Sequence, residues 1–563
     1  MIQTGVMHSA IRFPAVLLLA AVFLVVAGAP SLADDKSASD YVLAAEVALH
    51  NRDYLTAVTE YRKAADISER VEIARQATRL AFDYGFDKQA VKAAGRWVEL
   101  DPDSDEALVH LAQLQLRLGD VRSARRSFAK LIERGEQPPP ERLYTLMSFI
   151  SQEDPEDADE LMRALAKPYR DSALALYAAA AVALQADEFE YAMETAQQAI
   201  ELDPDWLKPK LLYGRALLVS GDVDEAIDYT ARLIGDDPDP DPDARMELAL
   251  MYLAAGEQDY ALSQVNQVLL ERSNRTDALR MMAIINFRRS NLDAAWDDFE
   301  DLLASGDYTT DALFYLGRIA DIRGEQDRAI RLYSQVQSGS NAIPSQRRAA
   351  LLIAFERDDL EGALAQLESF AKDRPQFAVD TMMIEAGLLG AFDRHDEAIA
   401  LFDEVVRFRP DDESAALSRA QMLLDIGRLD DAVAAYRAAA KRWPDSSMSL
   451  NALGYTLADR TENYEEAEKL IRKALKYDPE SPAIIDSLGW VLHKRGKHEE
   501  ALHHLEKAYA EFPDSEVAAH IVEVLAVLDR RDEALEFLVN AEEQDPDSEL
   551  LQGVRERLFP ETP

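Results

Sequence analysis

His498 and Glu499 open a stretch with the outline of a zinc-binding helix. Such helices place two histidines four residues apart, and the glutamate after the first histidine serves as general base. Here the second ligand position holds Leu502, so one of the two histidine ligands is missing. The neighbouring His503 and His504 project to different helix faces, because adjacent residues diverge by about 100°. We therefore predict no metal site at this stretch.

Alternating aspartates and prolines run from Asp237 to Asp243 with the carboxylate spacing of a calcium loop. A calcium loop also needs a central glycine and a closing glutamate that binds through both oxygens. The run contains no glycine, and Leu250 occupies the place of the glutamate. Prolines hold such a segment extended, so the run predicts a stiff connector. We predict neither a metal nor a cofactor for this chain.

Composition excludes several further functions. The chain has no cysteine, which excludes disulfides, thiol catalysis and a lipid-modified cysteine anchor. Its formal net charge of -43 repels nucleic acid phosphates, so nucleic acid is not expected as a partner. No phosphate-binding glycine loop, nucleophile elbow or recurring Ser/His/Asp arrangement is visible. We therefore predict that the protein is not an enzyme.

The first 33 residues have the organisation of a secretory signal. Arg12 is followed by an apolar run from Ala15 to Ala27 that is too short to span a bilayer. The small residues of Ser31-Leu32-Ala33 then form a cleavage site before Asp34. We predict that residues 1–33 are removed and that the mature chain acts outside the cytoplasm. The alternative is an uncleaved anchor helix.

An alanine recurs every 33 to 35 residues along almost the whole chain. The series is Ala57, Ala90, Ala124, Ala158, Ala192, Ala226, Ala261, Ala295, Ala329, Ala363, Ala398, Ala432, Ala467, Ala501 and Ala534. An alanine at each step indicates a place where two antiparallel helices cross too closely for a larger side chain. Such a fixed period is the signature of a repeat architecture.

Other residues keep a fixed distance from this alanine. A large aromatic often follows four residues later, as at Phe128, where it would fill the gap to the next repeat. A glycine often precedes the alanine by about a turn, as at Gly119, and would close the first helix. A proline such as Pro102 follows twelve residues later and would stop the second helix. Each unit is therefore predicted to be two short helices.

This order of markers resembles the tetratricopeptide repeat, from about residue 40 to residue 546. The resemblance implies an all-α solenoid, a right-handed superhelix of about fifteen helix-turn-helix repeats that binds other proteins or peptides in its concave groove. We predict an array over residues 34–546, with an irregular unit around residues 136–171. Residues 547–563 are predicted to form a capping helix and a tail, with the helix covering the last repeat.

Solenoids bind partners through the wall formed by the first helix of each repeat. Tyr455 and Trp490 directly follow Gly454 and Gly489, which should pack tightly, so both aromatics are expected to lean out of their helix pairs as partner anchors. The alternative is packing against the neighbouring repeat. The predicted partner-binding residues are Asn451, Tyr455, Asp486, Trp490, His493 and Lys494.

A basic patch follows directly in the sequence, and it is the most basic segment of this acidic chain. It is either a solvated turn or a contact for an acidic partner. Its residues are Arg495, Lys497, His498 and Lys507.

The run from Asn451 to Arg460, together with Asp486-Ser487-Leu488-Gly489-Trp490, resembles the large periplasmic tetratricopeptide proteins of Gammaproteobacteria. One of these is an outer-membrane lipoprotein that scaffolds a carboxyl-terminal processing protease and presents cell-wall hydrolases to it. The resemblance implies a periplasmic adaptor with such partners. The missing lipid-bearing cysteine leaves membrane association open. An alternative is a scaffold for envelope assembly or export, such as polysaccharide secretion or pilus biogenesis.

Overall fold

The structure is a computed structural model that describes residues 37–235 and 240–560. In this part of the chain, thirty-one α-helices follow one another with short turns between them, and there is no strand. They form fifteen pairs and one final helix. The predicted signal at residues 1–33 and the first part of the Asp-Pro run lie outside the described residues.

We number the helix pairs as repeats 1 to 15. Repeats 1 to 5 are α1 Ala38–His50 and α2 Tyr54–Ile67, α3 Val71–Asp83 and α4 Asp87–Leu100, α5 Asp105–Arg117 and α6 Val121–Arg134, α7 Pro139–Ile150 and α8 Pro155–Ala166, α9 Ala173–Gln185 and α10 Phe189–Leu202. Repeats 6 to 10 are α11 Leu207–Val219 and α12 Val223–Ile234, α13 Pro242–Ala254 and α14 Gln258–Glu271, α15 Thr276–Arg288 and α16 Leu292–Ser305, α17 Thr309–Ile322 and α18 Gln326–Ser334, α19 Ala342–Leu351 and α20 Leu360–Asp373. Repeats 11 to 15 are α21 Ala378–Ala391 and α22 His395–Phe408, α23 Glu413–Asp425 and α24 Leu429–Arg442, α25 Ser447–Arg460 and α26 Tyr464–Tyr477, α27 Pro482–Lys494 and α28 His498–Glu511, α29 Ser515–Val527 and α30 Arg531–Gln544. The final helix is α31 Glu549–Leu558.

The alanine series marks the crossing of the two helices in every repeat. All fifteen alanines lie on second helices and are buried, as the sequence predicted. The aromatic residue four positions later is buried as well, for example Phe128 and Phe299, and it fills the space between helices. Each repeat therefore contributes one layer to the apolar core, which is how a solenoid buries its apolar surface.

The turn between the two helices contains a residue in the left-handed conformation in thirteen of the fifteen repeats, and repeats 4 and 13 are the exceptions. Gly119 has φ +74° and Gly496 has φ +78°, which glycine adopts without steric cost. The prolines act as predicted at the other end: α4 ends at Leu100, just before Pro102. Ser104 then caps the next helix by accepting a hydrogen bond from the backbone N–H of Ala107.

Two glycines of the last repeats sit where the paired helices almost touch. A Cβ on Gly454 would lie 2.7 Å from Cγ1 of Ile471, and one on Gly489 would lie 2.6 Å from Cγ of Leu505. The backbone oxygen of Ala501 would be only 3.1 Å from the added carbon on Gly489. The sequence prediction of tight packing at both glycines is therefore confirmed.

We expect Gly489→Ala to destabilise the fold, because the added methyl group overlaps Leu505 and forces the helices apart. Overpacking of this kind lowers the free energy of unfolding by about 1–3 kcal/mol. The matched control is Gly95→Ala in α4, where an added Cβ meets nothing within 4 Å. That change should raise stability by about 0.5–1 kcal/mol, because alanine favours helix more than glycine does. Urea unfolding of both variants checks the opposite signs.

Ion pairs between neighbouring repeats recur at one repeat position. An arginine near the end of a first helix pairs with an aspartate that begins the second helix of the preceding repeat, about 30 residues earlier. The four pairs are Arg117–Asp87, Arg289–Asp259, Arg323–Asp293 and Arg357–Asp327. Most of these carboxylates are exposed, so each pair contributes little to stability and mainly sets the orientation of adjacent repeats.

The segment around residues 136–171 keeps the helix pair. Pro139 and Pro140 begin α7, and α8 is followed by a 3-10 turn, Lys167–Tyr169. At the C-terminus, α31 packs against the last repeat, and its Leu551 and Val554 are buried together with Phe559. Its apolar side covers the end of the core.

Candidate functional site

The first helices of repeats 13, 14 and 15 enclose a groove of about 320 Å³. Its walls come from α25, α27 and α29. Three of the six predicted partner-binding residues line it, namely Asn451, Tyr455 and Asp486. The other three, Trp490, His493 and Lys494, lie further along α27 and do not line it. Asn451 Oδ1 is buried and has no hydrogen-bond partner.

Tyr455, in repeat 13, extends past α27 of repeat 14 and contacts repeat 15. Its hydroxyl donates a hydrogen bond to Oε1 of Glu516 on α29, 2.5 Å away. Burial raises the pKa of the Tyr455 hydroxyl, and the Glu516 carboxylate raises it further. The side chain is half-buried and its ring lines the groove. Tyr455 therefore presents an aromatic face in a fixed position.

Trp490 packs inside the solenoid. Only 4% of it is exposed, and its ring stacks on His520 with the ring centroids 4.0 Å apart. On the same helix, the His493 ring lies parallel to it at 5.2 Å, and Lys494 Nζ sits 4.3 Å from the ring centroid. The indole N–H donates a hydrogen bond to Asp459 at 3.2 Å. In the chain alone, this geometry gives Trp490 a packing role.

Asp486 and His520 form a buried ion pair behind the groove. The distance between His520 Nδ1 and Asp486 Oδ1 is 2.9 Å, and both side chains are more than nine-tenths buried. Burial disfavours the charged imidazole, but the hydrogen bond and charge of Asp486 outweigh it, so the pKa of His520 is raised. The pair joins α27 to α29 and fixes one wall of the groove.

His493 has the opposite electrostatic environment. Burial lowers the pKa of His493 to about 4, and His498 adds to the fall. The Nδ1 atoms of His493 and His498 are 3.2 Å apart, at the turn between α27 and α28. His493 is therefore neutral at physiological pH and serves as a flat surface against Trp490.

The predicted basic patch lies at the edge of the solenoid, outside the groove. Arg495 forms an ion pair with Glu468, which also lies 3.9 Å from Lys497 Nζ. Glu500 lies 4.0 Å from the same Lys497 nitrogen. His498 begins α28, and Lys507 is exposed further along that helix. Much of the positive charge of this patch is thus compensated by neighbouring carboxylates.

Sequence reasoning missed the residues that α29 contributes. His520 and Glu516 complete the contacts of Asp486 and Tyr455, and Phe512, just before α29, is 59% exposed in the groove. The Asp486–His520 contact could have been inferred from the repeat period, because His520 stands 34 residues, or one repeat, after Asp486. The link between Tyr455 and Glu516 spans 61 residues and skips a repeat, so no period predicts it.

We expect His520→Gln to remove a contribution to stability that depends on pH. Because the folded pKa of His520 is raised above its unfolded value of about 6.5, this contribution is complete below that value and disappears as pH rises through the folded pKa. The stability difference between wild type and His520→Gln should therefore shrink as the pH rises from about 6.5 through the folded pKa of His520. Hydrogen exchange of the backbone amides of α27 and α29, measured across this pH range in both proteins, gives the local stability difference. The control, Asn540→Ala on the exposed face of α30, removes no ionisable group and should show no such trend.

Two features of the described residues bear on other functions. Among residues 37–235 and 240–560, no three His, Asp or Glu side chains converge as a metal-binding group would. Within the same ranges, every helix falls short of the length and apolar character needed to cross a bilayer.

Comparison with protein families identifies the class of the protein. Residues 211–277, 280–343, 385–447, 417–482 and 456–516 match one model described as a tetratricopeptide repeat. Two further tetratricopeptide-repeat models match residues 492–558 and 106–134. Together these matches cover more than half of the chain, so it belongs to the tetratricopeptide-repeat proteins. Such repeats are scaffolds for interaction between proteins and are generally non-catalytic.

Individual relatives cover less of the chain or are more distant. The TPR repeat-containing protein PA4667 of Pseudomonas aeruginosa is 36% identical over 213 residues, which is 38% of this chain and 36% of that protein. The matched segment thus spans about a third of the relative. Among solved structures, a chain of the APC/C Cut9–Hcn1 hetero-tetramer covers 92% of this chain and 96% of its own at 17% identity and TM-score 0.34. The alignment with yeast Tom70 covers 92% of this chain and 99% of the Tom70 chain, at 16% identity and a TM-score of 0.33.

Proposed function

We propose that this protein is an exported, non-enzymatic adaptor that holds a partner polypeptide in the groove between α25, α27 and α29. The observation that carries the proposal is Phe512, a large apolar side chain that is 59% exposed inside this concave site. Tyr455 and Val517 extend the same apolar surface. An aromatic anchor in a pocket with a polar rim is the usual centre of a protein-binding site.

The charge around the groove favours a basic partner segment. Asp486, Asp514 and Glu516 line it, and none of its lining residues is a lysine or arginine. Because Asp486 is already paired with His520, the negative charge that a partner meets comes from Asp514 and Glu516. Complementary charge raises the association rate and disfavours wrong partners. A segment that carries an apolar residue next to a lysine or arginine suits both features of the site. The basic patch at Arg495 and Lys497 offers less, because Glu468 and Glu500 already face its cations.

The partners we propose are a carboxyl-terminal processing protease and the peptidoglycan hydrolases that it degrades. The support is the resemblance of residues 451–460 and 486–490 to periplasmic tetratricopeptide adaptors, and the groove lies between the helices that carry these residues. A periplasmic location rests on the signal-like residues 1–33. The mature chain would then bring the enzyme and its substrates together on one scaffold.

Affinity capture tests this proposal. The mature chain, residues 34–563, is immobilised and incubated with a periplasmic extract, and the retained proteins are identified by mass spectrometry. We expect a carboxyl-terminal processing protease and cell-wall hydrolases, and their retention should fall with Asp514→Asn/Glu516→Gln. The control is Asp224→Asn/Glu225→Gln on α12, away from the groove. Retention of secretion or pilus components instead would contradict the protease assignment and favour an envelope-assembly scaffold.

A further inference from the structure

The first repeats contact repeat 11, although more than 300 residues of chain separate them. Arg52, in the turn between α1 and α2, donates to both carboxylate oxygens of Glu385 on α21, at 3.0 and 3.2 Å. Beside it, Arg407 Nη2 lies 3.3 Å from Asp53 Oδ1. All other repeat contacts described above join near neighbours in sequence. This contact instead joins one turn of the solenoid to the next.

Aromatic residues form the apolar part of this contact. Phe408, at the end of α22, packs against Tyr54 and Phe86 with ring-centroid distances of 5.9 and 6.0 Å. Tyr54 also stacks on Tyr84 at 4.5 Å. Lys88 Nζ lies 3.8 Å from Asp411 at the rim. We call Arg52, Asp53, Tyr54, Phe86 and Lys88, with Glu385, Arg407, Phe408 and Asp411, the clasp.

Comparison with equivalent repeat positions shows that the clasp is specific to these repeats. Phe408 is 5% exposed, whereas Ile67, Leu202 and Tyr477 at the same position of repeats 1, 5 and 13 are 54%, 49% and 47% exposed. Phe86 occupies the position before the second helix, and the other fourteen repeats have a polar or charged residue there. An apolar residue in a surface turn indicates that another surface packs on it, and here Phe408 does so.

Arg52 departs from the repeat pattern in the same way. Its φ is +59°, at the turn position that is glycine in repeats such as 2 and 3 and aspartate or serine in several others. A long side chain rarely adopts this conformation. Here the conformation is accompanied by an ion pair to Glu385, which is only 4% exposed. Loss of Arg52 would leave the Glu385 carboxylate buried without this partner, which would favour separation of the contact.

We propose that the clasp is a conformational device that closes the first ten repeats into a ring and opens to admit partners to the enclosed concave face. The chain runs continuously from repeat 1 to repeat 11, so contact between these two repeats completes a closed path. All of its residues except Glu385 come from turns and helix ends, and two of its three ion pairs include exposed side chains. Separation of the contact would open the inner face of these repeats from the side.

Distance measurements between spin labels test the clasp, and the chain has no natural cysteine to interfere. Labels are placed at Lys92→Cys on α4 and Asp396→Cys on α22, two exposed positions on elements that carry the contact. We expect one narrow distance distribution. Arg52→Glu and Glu385→Arg, made singly, should each broaden it toward longer distances. The charge-exchanged double variant should restore the narrow distribution, because the ion pair is re-formed.

Two controls keep the outcome interpretable. A label pair at Lys92→Cys and Lys130→Cys, both on the first three repeats, should give the same distances in every variant. If Glu385→Arg does not fold, Lys88→Asp/Arg407→Asp opens the clasp through exposed residues only. A narrow distribution that survives all opening variants would overturn the proposal. A broad distribution that the charge-exchanged variant fails to narrow would overturn it as well.

Discussion

Trp490→Ala is expected to lower the free energy of unfolding of the C-terminal repeats by about 3–5 kcal/mol, the usual loss for a buried tryptophan. The change removes the stack on His520, the contact with His493 and the hydrogen bond to Asp459. Trp490→Phe should cost less, because it keeps an aromatic ring but loses the hydrogen bond. Hydrogen exchange of repeats 13 to 15 is the suitable measurement, since a long repeat array need not unfold as one unit.

The control is Trp443→Ala, at the end of α24, where the tryptophan is only partly buried. Its effect on stability should be clearly smaller. If Trp490→Ala left the exchange rates of α27 and α29 unchanged, the packing role of Trp490 would be wrong. Loss of partner binding with unchanged exchange would return Trp490 to the anchor role that the sequence suggested.

Phe512→Ala is expected to weaken partner binding by 2 kcal/mol or more, about a thirty-fold rise in Kd, as for a central interface residue. Stability should change little, because Phe512 is 59% exposed and has little packing to lose. Titration of the retained partner with the variant measures the affinity, and the thermal midpoint measures the fold. The prediction applies to whichever polypeptide the wild-type chain retains.

Leu270→Ala is the matched control, because Leu270 is 85% exposed on α14 and lies outside the groove. It should alter neither affinity nor the thermal midpoint. If Phe512→Ala bound the partner with wild-type affinity, Phe512 would not belong to the binding surface.

Tyr455→Phe tests the contribution of the Tyr455 hydroxyl to partner binding. The change keeps the ring and removes only the hydrogen bond to Glu516, so affinity should fall if this bond holds the ring in place.

The repeat itself was predictable from sequence, because each marker has a local cause. Buried alanines, left-handed glycines and helix-stopping prolines act within one helix pair, and their period fixes the number of pairs. A capping helix after the last repeat was also predicted from sequence, and the structure has α31 there, with Ser548 as its N-cap accepting a hydrogen bond from Leu551 N–H. These features depend only on the nearest neighbours of each repeat.

Side-chain contacts between different repeats were not predictable in this way. The orientation of the Trp490 ring depends on its stack with His520 in the next repeat. The Tyr455 hydroxyl bonds to Glu516, which lies two repeats away. The clasp depends on the curvature of ten repeats, which accumulates from small rotations that no single motif encodes. Only departures from the pattern, Arg52 at a glycine position and Phe86 at a polar one, marked it in the sequence.

The central claim, that the groove of repeats 13 to 15 holds a partner polypeptide, is tested most directly by photo-crosslinking in the cell. A photoreactive residue replaces Ala483, an exposed lining residue of the groove, and in a second strain replaces Lys469 on the exposed face of the second helix α26. Irradiation should produce a discrete adduct with another protein from position 483 and none from position 469. Adducts from position 469 alone, or equal adducts from both positions, would contradict the account.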